Sequence, residues 1–203
     1  MFFSNQLKNI SNLKHCFFSR KNGVSKRIYN SLNCGLNSKD DKKNVIQNIN
    51  IVCKKLNCDK KPIITLNQTH GNKVVCFNNP EKVKDKIVGD AIVTKLKNIG
   101  IGVLTADCVP ILFCDPKKKI IGCVHAGWKG ALSGVIENTI DKFLELNSNA
   151  RDLIAAIGPC INHQRYEVGH DFYKKFVSQS KNNGRFFIIS NDKKYLFNIR
   201  SYI

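Results

Sequence analysis

Ile120-Ile121-Gly122-Cys123-Val124-His125-Ala126-Gly127-Trp128-Lys129-Gly130 begins as an apolar run and ends in a turn bracketed by glycines. A continuous, β-branched run without polar alternation predicts a strand covered on both faces. Beyond the turn, apolar residues recur at 132, 135, 136, 140, 143, 144 and 146, the spacing of one helix face over 131–146. A strand, glycine loop and helix in that order present backbone N–H groups to an anion at the helix start. Lys129 adds positive charge there, and Trp128 offers either an aromatic surface for a flat ligand or a packing anchor. The same loop also serves as a tight connection and nothing more. The phosphate-loop patterns GxxxxGK[ST] and GxGxxG are absent.

Working outward, a second run at 111–114 is separated from 120–124 by Asp115-Pro116 and Lys117-Lys118-Lys119, the composition of a solvated hairpin tip. Further runs at 63–66, 74–77, 91–93, 101–104 and 153–157 read as strands. Apolar residues at 45, 46, 49, 52, 53 and 56 predict a helix over 45–56, and 171–177 reads as a third. Strands with few helices between them indicate an α/β or α+β single domain, the strand order being left open.

With 203 residues, 42% of them hydrophobic, the chain is long enough to bury one core. It has no run of about 18 apolar residues that would span a membrane, and residues 1–21 lack the apolar stretch of a secretory signal. Nine cysteines without a CxxC pair fit a reducing compartment, so the expectation is a soluble, cytoplasmic protein. The formal charge of +18 comes from lysines spread along the chain, among them Lys8, Lys42, Lys118, Lys175 and Lys194, beside abundant Asn and Ile. That is the imprint of AT-rich coding, and no specific nucleic-acid or membrane partner is expected from it.

Chemistry concentrates just beyond three strands. Asn67-Gln68-Thr69-His70-Gly71 follows the first run, Thr105-Ala106-Asp107-Cys108-Val109-Pro110 follows the run at 101–104, and His125 to Gly130 follows 120–124. Two histidines and a cysteine converging at one sheet rim would form a His₂Cys set, a known catalytic zinc arrangement with a fourth position open. The zinc-deaminase pattern with PCxxC is absent. An alternative uses the same residues without metal, with Cys108 as nucleophile, His125 as its base, and Asp107 or Gln68 orienting.

These segments resemble the YfiH/laccase-domain family of purine nucleoside phosphorylases. The family pattern Q-x-H-G, G-D-A, T-A-D-C-x-P, H-A-G-W-[RK]-G and G-P-x-I with a later Y-E-V is matched in order. The matching residues are Gln68 to Gly71, Gly89-Asp90-Ala91, Thr105 to Pro110, His125 to Gly130, Gly158-Pro159-Cys160-Ile161 and Tyr166-Glu167-Val168. The stretch around Arg20, Gly23-Val24-Ser25, Tyr29 and Gly35-Leu36 looks like the family's opening. The resemblance implies a mixed-sheet sandwich flanked by helices, related to cysteine-hydrolase-like toxin domains. It also implies zinc on His70, Cys108 and His125, phosphorolysis of adenosine, inosine, guanosine and methylthioadenosine, and adenosine deamination at the same site. Copper and polyphenol oxidation are the family's earlier description. On this reading Arg20 and Lys129 are candidates for phosphate, Ser25, Gln68 and Trp128 for substrate, and Asp107 or Asp90 for carrying a proton. The family pattern continues past Tyr195-Leu196-Phe197-Asn198 with a Cys-Thr segment and an S-x-R-R strand. Residues 1–203 are therefore expected to be one domain, C-terminally shortened, with an inactive metal-binding remnant as a further alternative.

Overall fold

In the computed structural model, which describes residues 1–58, 63–77, 87–191 and 193–203, each strand expected from an apolar run is present. A short helix α1 (Asn5–Lys8) precedes α2 (Lys42–Lys55), whose first turn is capped by the Asp41 carboxylate accepting from the Lys43 N–H. The strands that follow are β1 (Ile63–Ile64), β2 (Val74–Phe77), β3 (Ala91–Thr94), β4 (Gly100–Ile101), β5 (Val109–Asp115) and β6 (Ile120–Ala126). Then come α3 (Trp128–Leu132), α4 (Val135–Glu145) and β7 (Ile154–Ile157). The chain continues through β8 (Glu167–Gly169), α5 (His170–Gln179), β9 (Phe187–Asn191), β10 (Lys194–Phe197) and α6 (Ile199–Tyr202).

The central sheet has the order β2-β3-β6-β5-β7, with β2 and β3 parallel and the other pairs antiparallel. Every residue of β3 is buried, as the unbroken apolar run required. One face carries Ala91, Val93, Ile111, Phe113 and Val124 against Val135 and Phe143 of α4 and Phe176 of α5. The opposite face carries Ile92 and Cys123 with Leu66 and Phe77, and Cys114 and Ala156 with Leu7 and Phe17. The expected mixed α/β architecture with covered faces is therefore what forms. The lysines at 117–119 are exposed at the β5–β6 turn, where Asp115 accepts from the N–H groups of Lys117 and Lys118.

Three elements depart from the sequence reading. The helix expected over 131–146 is two helices, because Gly134 adopts φ +87°, a left-handed conformation that glycine reaches at little cost. The long helix thus starts at Val135, and the turn after His125 leads only into the five-residue α3, which weakens the expected anion site at a long helix start. Next, β1 and β4 are two-residue strands pairing with each other, shorter than the runs 63–66 and 101–104. Their extension is replaced by a side chain: the Gln68 amide donates to the Leu104 carbonyl and accepts from its N–H, both at 2.7 Å. Last, β8-β10-β9 form an antiparallel sheet that no apolar run announced. It is held to α5 by ring contacts, Tyr173 stacked on Tyr195 at 4.4 Å and Phe176 against Phe197 at 4.8 Å.

Phe143 ties α4 to the sheet directly above Gly122, where an added Cβ would lie 2.8 Å from its ring. Phe143→Ala is expected to cost about 3–5 kcal/mol, the range for removing a fully buried aromatic. Gly122→Ala is also expected to destabilise, by overpacking. Urea unfolding followed by circular dichroism measures both.

Candidate metal centre

Cys108 immediately precedes β5, and His125 lies one residue from the end of β6. The β5–β6 register pairs Val109 with Ala126 and Pro110 with His125, so both ligands lie at the open end of the hairpin, opposite the lysine tip. His70 comes from the turn between β1 and β2. One ligand atom from each of His70, Cys108 and His125 lies within 4.8 Å of the others. The two imidazoles meet edge to face, with ring centroids 4.7 Å apart. Among the described residues this is the group of His, Cys, Asp and Glu side chains arranged to hold a metal ion.

The donor chemistry fits a borderline-soft divalent cation. Burial pushes the His125 imidazole below its ordinary range, and the neighbouring His70 adds to this against the opposing pull of Asp90, so the ring is neutral and able to coordinate. Burial pushes the Cys108 thiol up, and Asp107, Asp90 and Cys160 push the same way. Without a cation Cys108 is therefore a protonated thiol, the opposite of what a metal-free nucleophile needs. A coordinated cation reverses that balance.

Asp90, fully buried just before β3, is the polar hub beneath the ligands. Its carboxylate accepts from the N–H groups of Thr69, His70 and Gly71 and from the Thr69 hydroxyl, and lies 2.8 Å from His125 Nδ1. Burial alone would raise its carboxyl, but the bond from His125 and those three N–H groups outweigh it and hold the carboxyl below the ordinary range. A carboxylate so fully engaged is not a proton carrier, which corrects that expectation for Asp90.

Gly127 borders the site and keeps it open. A Cβ there would lie 3.0 Å from His70 Cδ2, 3.2 Å from Cys108 Sγ and 3.8 Å from His125 Cε1, touching all three ligands. Gly130 has a related role, since a Cβ would lie 2.6 Å from the Gly71 carbonyl, so α3 packs directly on the turn that carries His70.

A family model described as multi-copper polyphenol oxidoreductase laccase matches residues 14–203. The chain belongs to this family. A purine nucleoside phosphorylase of Rickettsia conorii is 41% identical over 142 residues, covering 70% of this chain and 58% of that one, so the match spans less than two thirds of that relative's length. A crystal structure of a Neisseria meningitidis protein is 31% identical, with a TM-score of 0.79, covering 90% of this chain and 72% of the other. A Bacillus licheniformis protein named YfiH is 26% identical with a TM-score of 0.82, at the same coverages.

Of the other residues expected at the laccase-family site, Asp107 is exposed next to Cys108. Its carbonyl accepts from the Ile161 N–H, which draws the Gly158-Pro159-Cys160-Ile161 motif to the rim. Gln68 spends its amide on Leu104 and so helps position the loop leading to Cys108. Trp128 is a packing anchor, its ring 4.8 Å from that of Phe172, with the ammonium groups of Lys129 and Lys175 each 5.5 Å from its centroid. Lys129 is otherwise exposed. Ser25 is buried, its hydroxyl accepting from Asn48, which also ties down the Ser31 and Asn33 carbonyls; this is a scaffold for the opening loop. Arg20 lies exposed on that loop, its carbonyl accepting from Ser31 and Leu32.

Tyr166 opens the Tyr166-Glu167-Val168 segment, where nothing in the sequence pattern assigns it to the site. It is half-buried, and its phenol is pushed up to about 12 by burial together with the charges of Cys108 and Asp107, which marks it as a neighbour of the centre. A cleft of about 700 Å³ lies along β7, lined by residues including Phe2, Phe17, Cys160 and Arg200; none of the three ligands lines it.

Gly127→Ala is expected to crowd the ligands by a few tenths of an ångström and lower metal retention several-fold, since such sites require placement within about 0.5 Å. Metal content after dialysis against a chelator, compared at equal far-UV circular dichroism, checks this.

Proposed function

We propose that the protein is a zinc-dependent purine nucleoside phosphorylase that acts in the cytoplasm, residues 1–203 forming one domain. Its substrates on this reading are adenosine, inosine, guanosine and methylthioadenosine with inorganic phosphate, and adenosine is also deaminated. The observation that carries the reading is the His70–Cys108–His125 cluster, whose ligand atoms lie within 4.8 Å of one another. The names of the curated relatives support the substrate class. No described helix is long and apolar enough to cross a membrane.

His70, Cys108 and His125 would hold the ion, which supplies Lewis-acid polarisation and a lowered pKa for bound water. The chain's own groups supply the rest. Phosphorolysis needs an anion held behind the anomeric carbon and a proton for the departing base. Arg20 and Lys129, both exposed cations, are assigned to phosphate, since charge-assisted bonds to such anions are strong. Asp107, exposed beside Cys108, is assigned to carrying the proton. Gly127 leaves the centre open to a ligand where any other residue would fill it.

Adenosine incubated with the zinc-loaded protein is expected to give adenine only when phosphate is present, and inosine without it. Chromatography that shows neither product from folded, zinc-loaded protein rejects the proposal and favours a metal-binding remnant. Elemental analysis of freshly purified protein is expected to show zinc; copper in its place would support the oxidase description, to which a His₂Cys donor set is also suited. Arg20→Ala is expected to raise the KM for phosphate roughly 10- to 150-fold, the loss of a charged hydrogen bond worth about 1.5–3 kcal/mol. An unchanged KM removes Arg20 from the site.

A further inference from the structure

We propose that Asp90 is the positioning residue of the centre, one carboxylate setting both the main-chain turn that presents His70 and the ring tautomer that presents His125. The inference rests on the reading of His70, Cys108 and His125 as metal ligands. The two oxygens divide the work. Oδ2 accepts from the Gly71 N–H at 2.8 Å and from the Thr69 N–H and hydroxyl, each at 3.2 Å. Oδ1 accepts from the His70 N–H at 2.9 Å and lies 2.8 Å from His125 Nδ1.

The first consequence is backbone geometry. His70 has φ +60°, a left-handed conformation uncommon outside glycine. Three consecutive N–H groups, those of Thr69, His70 and Gly71, converge on one anion, a nest that stabilises a turn of this kind. The second consequence is the tautomer. An ionised carboxylate only accepts, so His125 Nδ1 must donate to it, and the lone pair is left on Nε2 for a metal. The His125 N–H donates to the Asp90 carbonyl at 2.7 Å, so the β3–β6 pairing also fixes the distance between the two residues. Two ligands from separate elements thus answer to the same buried group.

Asp90→Asn separates this role from a merely structural one. Three donors surround Oδ2, so the amide oxygen must take that position and the amide NH₂ must face His125 Nδ1 and the His70 N–H, whose hydrogen bond is lost. A donor there drives the imidazole proton onto Nε2 and removes the lone pair that coordinates. The test is nitrogen-15 NMR of the imidazoles in the metal-free full-length protein, with zinc affinity measured by chelator competition. Wild type is expected to show His125 protonated on Nδ1. Asp90→Asn is expected to show the Nε2–H tautomer and to bind zinc about 10–100-fold more weakly, the usual effect of removing a ligand's hydrogen-bond partner. An Nε2–H tautomer in metal-free wild type overturns the proposal, and that measurement stands even where the variant does not fold. A folded Asp90→Asn that keeps the Nδ1–H tautomer or full zinc affinity overturns it equally. Wild type with the Nδ1–H tautomer but no zinc binding would instead reject the metal reading, while supporting Asp90's hold on the ring.

Discussion

The register of β5 on β6 is the constraint on which the rest depends. Pairing runs without interruption from Val109 opposite Ala126 to Asp115 opposite Ile120. It puts Ile111, Phe113 and Val124 into the core beneath α4 and, in the same alternation, turns His125 to the other face beside Cys108. A slip of one residue would exchange those faces, placing an imidazole among the aromatics beneath α4 and a valine beside Cys108. Stability and ligand placement are therefore specified by one set of backbone hydrogen bonds. The apolar residues that stabilise the register also keep the ligands at one end of the sheet.

Much of this was legible because buried strands announce themselves by uninterrupted apolar runs. Positions 91–93, 111–114 and 120–124 became β3, β5 and β6 with small changes at their ends. The three candidate ligands were legible for a related reason: each stands where an apolar run gives way to glycine or polar residues. Features that depend on side chains meeting across long sequence distances were less readable. Gln68 takes over the pairing of Leu104, so two expected strands are short. Gly134 occurs within a helical pattern that gives no sign of a φ of +87°. The sheet of β8, β9 and β10 escapes because Ile188 and Ile189 are exposed, so burial imposes no alternation on β9. Asp90 could be seen only as an acid near glycine; its five donors come from Thr69, His70, Gly71 and His125, none of them within its own motif.

The electrostatics of the centre explain why the same residues support a metal reading better than a metal-free one. Asp107 and Asp90 both disfavour a thiolate at Cys108, and no cationic side chain counters them among the causes that set its acidity. His125 gives its Nδ1 to Asp90 and not to the cysteine. What the fold assembles is a neutral imidazole, a second histidine held by a turn, and a thiol awaiting a positive charge. A divalent cation supplies that charge, and coordination deprotonates the sulfur.

The placement of the single tryptophan gives the molecule a built-in optical probe. Trp128 is the residue after Gly127, where an added Cβ would meet all three candidate ligands, and its indole rests on Phe172 of α5. It therefore joins the loop of the centre to the C-terminal aromatic cluster, with two ammonium groups over its ring. Any event that shifts the loop or loosens the cluster changes the surroundings of this one fluorophore. Emission from the unlabelled protein thus reports on the centre and the C-terminal sheet together, at a position where no dye or added residue is needed.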